Sequence, residues 1–192
     1  MNWLGLSSTY SLVAFGISLL AVLAIVALAA VSKLSGRFEF WPPPVAKSWQ
    51  HRTFLALFRL FLYPLVVLSF LEFQIANETT GLSRQAIGGL LFVAGFGLAL
   101  RITLQMGWRN AFGEKKGLVT DGWFAISRNP VYVATWVGLL GWSLVLGQLS
   151  VTILLTFWAL LYVLAPFLEE RWLERQYGDE FRRYKSSVAR FV

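Results

Sequence analysis

Apolar residues fall in long blocks along this chain rather than alternating with polar ones. From Met1 to Ser32 there is no charged residue, and the stretch from Tyr10 to Val31 is long enough to cross a hydrocarbon core of about 30 Å. It lacks a basic leader and exceeds the apolar length of a cleavable signal peptide, so a spanning helix is expected. A second block, Thr53 to Leu71, is interrupted only by Arg59, and a third, Gln85 to Leu104, only by Arg101. Both arginines lie near enough to a block end to snorkel. The most informative block is Asn129 to Leu168, forty residues without a charge. As one helix it would measure about 60 Å at roughly 1.5 Å per residue, about twice the core. It must fold back, and Gly147-Gln148-Leu149-Ser150 marks the turn between a fourth helix, about Val131 to Leu146, and a fifth, about Val151 to Leu168. The expected fold is all-α and polytopic: five transmembrane helices, with a tight hairpin of the last two.

Composition agrees with that pattern. Apolar residues make up 57% of the 192 and charged ones only 14%, against about a quarter in a soluble globular domain. A soluble dinucleotide-binding enzyme is excluded. The absence of cysteine and the single His51 exclude disulfides, thiolate metal sites, a cysteine nucleophile and a multi-histidine metal centre, so no metal is expected.

The net charge of +7 would fit nucleic acid or anionic lipid, and its placement decides between them. Lys33, Arg37, Lys47 and Arg52 lie between the first two spans. Arg109, Lys115, Lys116 and Arg128 follow the third, and Arg171, Arg175, Arg182, Arg183, Lys185 and Arg190 follow the fifth. These fourteen of seventeen basic residues share one side, while Arg84 alone is on the other. The positive-inside rule then puts the N-terminus outside and the C-terminus in the cytoplasm. A prokaryotic cell membrane is favoured over the endoplasmic reticulum, and nucleic acid is not expected as a partner. Trp41-Pro42-Pro43-Pro44 reads as a stiff extended spacer at the interface.

Polar groups converge at the cytoplasmic ends of the last three spans. Asn129-Pro130 has the form of a helix start, with Asn as N-cap and Pro in the first turn. Arg128 beside that positive helix end would suit a carboxylate or phosphate. Glu169 and Glu170 close the other arm of the hairpin, at the same depth as Asn129, and would suit a cationic or amine-bearing ligand. Beyond them, Trp172, Leu173, Gln176, Tyr177, Phe181, Tyr184, Val188 and Phe191 recur at helical spacing among basic residues. That pattern predicts an amphipathic interfacial helix, broken at Gly178. Pairs of small residues, Ala134 with Gly138 and Gly95 with Ala99, are placed to permit close helix contact.

These motifs follow in order: Leu118-Val119-Thr120, Gly122, Arg128-Asn129-Pro130-x-Tyr132, the hairpin, Glu169-Glu170-x-x-Leu173, and Tyr177-Gly178-x-x-Phe181-x-x-Tyr184-x-x-x-Val188-x-Arg190. The region from about Gln105 to Val192 thereby resembles the isoprenylcysteine carboxyl methyltransferase and phospholipid methyltransferase family of integral membrane enzymes. The resemblance implies S-adenosyl-L-methionine as cofactor and a lipid-like acceptor reaching the site laterally from the bilayer. It places Gly117, Leu118, Val119 and Phe124 along the adenosyl part, and Asn129, Pro130 and Tyr132 at the wall and helix end. Glu169 or Glu170 would take the amino group, with Arg128 and Glu170 as the residues expected to act in catalysis; Arg109 and Asn110 match less closely. It also implies a division into a substrate-side half, residues 1–104, and a cofactor-binding half, 105–192. Two departures bear on mechanism. Asn129 stands where the family has His, which removes a titratable base, and Leu164-Ala165-Pro166-Phe167 lacks the Arg that would hold a prenylcysteine carboxylate. Two other classes compete: an NADPH-dependent sterol or steroid reductase, against which the paired glutamates argue, and a non-catalytic membrane scaffold.

Overall fold

A computed structural model describes residues 6–35, 38, 40, 48–79, 81–107 and 117–191. The Trp-Pro-Pro-Pro spacer and Arg37, Lys47, Arg109, Asn110, Lys115 and Lys116 lie outside the described residues. The described chain is all helical: α1 (Thr9–Ser35), α2 (Trp49–Thr79), α3 (Leu82–Met106), α4 (Pro130–Leu146), α5 (Leu149–Tyr177) and α6 (Asp179–Ser187), with a short 3-10 turn at Gly122–Ala125. α1, α2, α3 and α5 are each long and apolar enough to cross a membrane. α4, with 17 residues, measures about 26 Å at roughly 1.5 Å per residue, the lower limit for a span. The chain is a multi-pass membrane protein. Its outward faces agree, since Phe70 is 77% and Leu90 71% exposed, apolar surface of the kind that faces lipid.

Two helix pairs dominate the packing, α1 on α2 and α3 on α4, and α5 joins them through α1 and α4. With no hydrophobic force between helices in lipid, close packing must hold them. Glycine supplies it at the α3–α4 seam. A Cβ on Gly88 would lie 2.9 Å from the Gly141 carbonyl, and one on Gly138 would lie 2.6 Å from the Phe96 ring. A Cβ on Gly95 would run into the Gly138 backbone. The core between α1, α2, α4 and α5 holds Val22, Phe61, Leu65, Leu139, Leu154 and Trp158, with Trp158 edge-on to both Phe58 and Phe61 at 5.7 Å.

The hairpin turns where the charge gap predicts. Gly147 adopts φ +63°, left-handed, and its N–H donates to the Ser143 carbonyl at 2.8 Å, a helix end that favours glycine. Ser143 and Thr152 hydroxyls share a 2.8 Å bond across the turn. The fifth span differs from expectation at its far end. α5 does not stop near Leu168 but continues through Glu169 and Glu170 to Tyr177. No glycine or proline falls between Phe167 and Tyr177, so nothing interrupts the ladder until Gly178, at φ +51°. The amphipathic tail is therefore two pieces: the last turns of α5, and α6 after the break.

Candidate functional site

The site assembles where α4 begins, beside the Glu169–Glu170 turn of α5. Asn129 occupies the N-cap position with Pro130 in the first turn, as expected, but its side chain makes no cap bond. Its Nδ2 donates instead to the carbonyl of Arg190 at 2.9 Å. The Asn129 backbone N–H is met by the Ser127 hydroxyl at 3.1 Å, so Ser127 orders the turn that the Asn side chain leaves free. On the next turn, the Tyr132 hydroxyl donates to Glu169 Oε1 at 2.7 Å, and its ring lies 4.5 Å from that of Tyr162. The hairpin thus brings the two motifs together at one depth, although they are 37 residues apart.

Glu170 is the centre of a buried charge cluster. Arg190 donates to both its oxygens, from Nε at 2.8 Å and from Nη2 at 2.9 Å. Arg128 Nη2 stands 3.2 Å away and Lys185 Nζ 3.6 Å away. Lys185 also donates to Glu174 at 2.7 Å. The fork geometry of Arg190 is the strong form of such a pair, and donating these bonds to Glu170 raises the Arg190 pKa above its ordinary value. Arg128 is the less satisfied partner. Its side chain is only 8% exposed, and among the described residues its Nε and Nη1 are buried without a hydrogen-bond partner. Leaving such donors unpaired is costly, so the arrangement asks for an anionic acceptor.

Gly117, Leu118 and Val119 lie in irregular chain before the 3-10 turn, Gly117 exposed and the other two half-buried. Phe124, in that turn, packs against Ala99, Ile102 and Ala134 of α3 and α4, and its carbonyl accepts the Tyr184 hydroxyl at 2.6 Å. Burial pushes the Tyr184 pKa up to about 12, so that hydroxyl stays a donor throughout the physiological range. Beside Glu170 an open cleft of about 310 Å³ is lined by Lys33, Phe167, Glu170, Arg171, Glu174, Lys185 and Arg190.

Sequence reasoning singles out Arg128, Asn129, Tyr132, Glu169 and Glu170, and these are gathered at one place. It misses Ser127 and Tyr162, which carry no motif, and gives Arg190 no role beyond its spacing. It also passes over Glu72 at the other end of α2. That carboxylate is fully buried and accepts both the backbone N–H and the hydroxyl of Ser7, at 3.0 and 2.8 Å, which ties the start of α1 to α2.

A family model described as phospholipid methyltransferase matches residues 83–180, a range that takes in α3, the approach to α4, the whole hairpin and both glutamates. No curated protein and no solved structure matches the chain.

Proposed function

The chain belongs to the phospholipid methyltransferase family, and from that premise we propose that it transfers a methyl group from S-adenosyl-L-methionine to a lipophilic acceptor delivered from the bilayer. The acceptor would be an amine, a carboxylate or a phospholipid headgroup. The observation that carries this reading is Arg128, a buried guanidinium whose Nε and Nη1 have no partner among the described residues, set just before the start of α4 and beside Glu170, with Glu169 next in sequence. An amino-acid end, with one carboxylate and one ammonium, has the charges to satisfy both sides.

Arg128 would hold the carboxylate, with the partial positive charge of the α4 start beside it. Glu170 is gripped by Arg190, Arg128 and Lys185, and Glu169, which accepts the Tyr132 hydroxyl on the first turn of α4, is assigned to the ammonium. Asn129 and Pro130 would form the wall, and Gly117, Leu118, Val119 and Phe124 would flank the adenosyl part. When bound, the donor supplies an electrophilic methyl group on a sulfonium. The protein's contribution is then orientation and exclusion of water, the two terms such a transfer needs most. Asn129 has no titratable group, so no proton is taken at that position. In this reading residues 105–192 bind the donor, residues 1–104 select the acceptor, and the site faces the cytoplasm.

Calorimetry on detergent-solubilised protein tests the assignment. S-adenosylhomocysteine is expected to bind saturably, with affinity lost in Arg128→Gln and Asn129→Asp. Saturable NADPH binding with no response to S-adenosylhomocysteine would place the chain among reductases instead, and binding of neither would favour a scaffold.

A further inference from the structure

Arg190 lies beyond the end of α6, in a short extended strap whose contacts run back to the start of α4. The Ala189 carbonyl accepts the Arg128 N–H at 2.9 Å. The Arg190 carbonyl accepts Asn129 Nδ2 at 2.9 Å and the Ser127 hydroxyl at 3.4 Å. The guanidinium sits 4.1 Å over the Phe167 ring, and the Phe191 ring packs 5.0 Å from Trp136. Main chain and side chain together therefore hold Arg190 in one place, where it takes both oxygens of Glu170.

That grip has a consequence for Arg128. A carboxylate and a guanidinium in a buried site prefer a two-pronged pair, and Glu170 stands 3.2 Å from Arg128 Nη2. With its oxygens already engaged by Arg190, Glu170 meets Arg128 through that single nitrogen and leaves Nε and Nη1 without a partner among the described residues. Released from Arg190, Glu170 would be free to turn onto Arg128 and use those donors itself.

We propose that Arg190 is a positioning residue for donor binding: it holds Glu170 in a fork of its own, so that Arg128 keeps two nitrogens for the ligand's carboxylate. The proposal rests on the assignment of Arg128 to that carboxylate. It adds that a residue outside the matched region sets the affinity for one functional group of the ligand and leaves the remainder alone.

The test compares S-adenosylhomocysteine with its decarboxylated analogue, by calorimetry on the full-length protein and on Arg190→Ala and Arg190→Lys. Arg190→Ala is expected to weaken S-adenosylhomocysteine at least about tenfold, the scale of a lost charged hydrogen bond, with the analogue within about twofold of wild type. Lysine, a point charge without a fork, is expected to fall between. Unchanged analogue binding also shows that each variant is folded, and if the alanine variant does not fold, the lysine variant decides. Equal losses for both ligands would reduce Arg190 to a structural tie, and no loss for S-adenosylhomocysteine would remove its role; either overturns the proposal. Failure of the wild-type protein to bind S-adenosylhomocysteine would overturn the functional reading and this proposal together, before any variant is measured.

Discussion

Replacing Glu170 by glutamine removes the one carboxylate that three cations share, with almost no change of shape. The glutamate is 9% exposed and Arg128 8%, whereas Arg190 and Lys185 are 30% and 38% exposed. Breaking a buried ion pair costs about 3 to 5 kcal/mol, because the remaining charge is left without compensation. Here only Arg128 is that deeply buried, and the other two cations can be rehydrated, so the lower figure applies. A loss of about 3 kcal/mol lowers the melting temperature of a chain this size by roughly 6 to 12 °C. The control is Glu174→Gln, whose pair with Lys185 is 39% and 38% exposed and is worth less than about 1 kcal/mol. Thermal melts of both variants in the same detergent, followed by intrinsic tryptophan fluorescence, read the difference. Equal melting temperatures for Glu170→Gln and wild type would refute the reasoning, since the charge cluster would then not exist as described.

Other parts of the account are exposed to equally direct measurement. Gly141→Val should cost about 3 kcal/mol, the upper end of ordinary overpacking, because its Cβ would lie 2.6 Å from the Gly88 carbonyl; size-exclusion profiles and melts of the variant would show it, and a Gly97→Val control, with open space around it, should be tolerated. The Tyr184 pKa, raised by burial to about 12 from 10.0, makes the folded state bind the proton more tightly than the unfolded one. Stability should therefore be intact below pH 10 and fall as pH rises from about 10 to 12, with Tyr184→Phe removing that part of the alkaline loss while weakening the protein slightly at neutral pH. An unchanged alkaline slope in Tyr184→Phe would contradict the buried bond to Phe124. Tyr132→Phe, which deletes the 2.7 Å bond to Glu169, should raise KM for the methyl donor more than it lowers kcat, whereas a pure kcat effect would place Tyr132 at the reacting atoms.

Much of this architecture is written in local pattern. The membrane imposes a length of about 20 apolar residues on each span, so blocks and breaks translate directly into α1 to α5. The forty-residue charge gap bounded by Arg128 and Glu169 foretells both the hairpin and the meeting of its two ends. What local pattern does not carry is pairing across sequence. The Arg190–Glu170 fork joins residues 20 apart and the Asn129–Arg190 bond residues 61 apart, and neither has a periodicity to betray it. The Asn129 side chain illustrates the limit. Its position as N-cap is legible, but the partner it chooses is a carbonyl delivered by the strap. The end of α5 divides the same way: the break at Gly178 is legible in the tail's spacing, whereas the unbroken run from Leu168 to Tyr177 is not, because loss of hydrophobicity does not by itself end a helix.

The central claim is that these residues move a methyl group onto a lipid. Purified protein, reconstituted into nanodiscs made from a total lipid extract and incubated with S-adenosylmethionine labelled in the methyl group, tests it in one step. The account predicts label in the organic phase, dependent on protein and absent in Arg128→Gln. Label confined to the aqueous phase at every protein concentration, with the lipids unmodified, would contradict it.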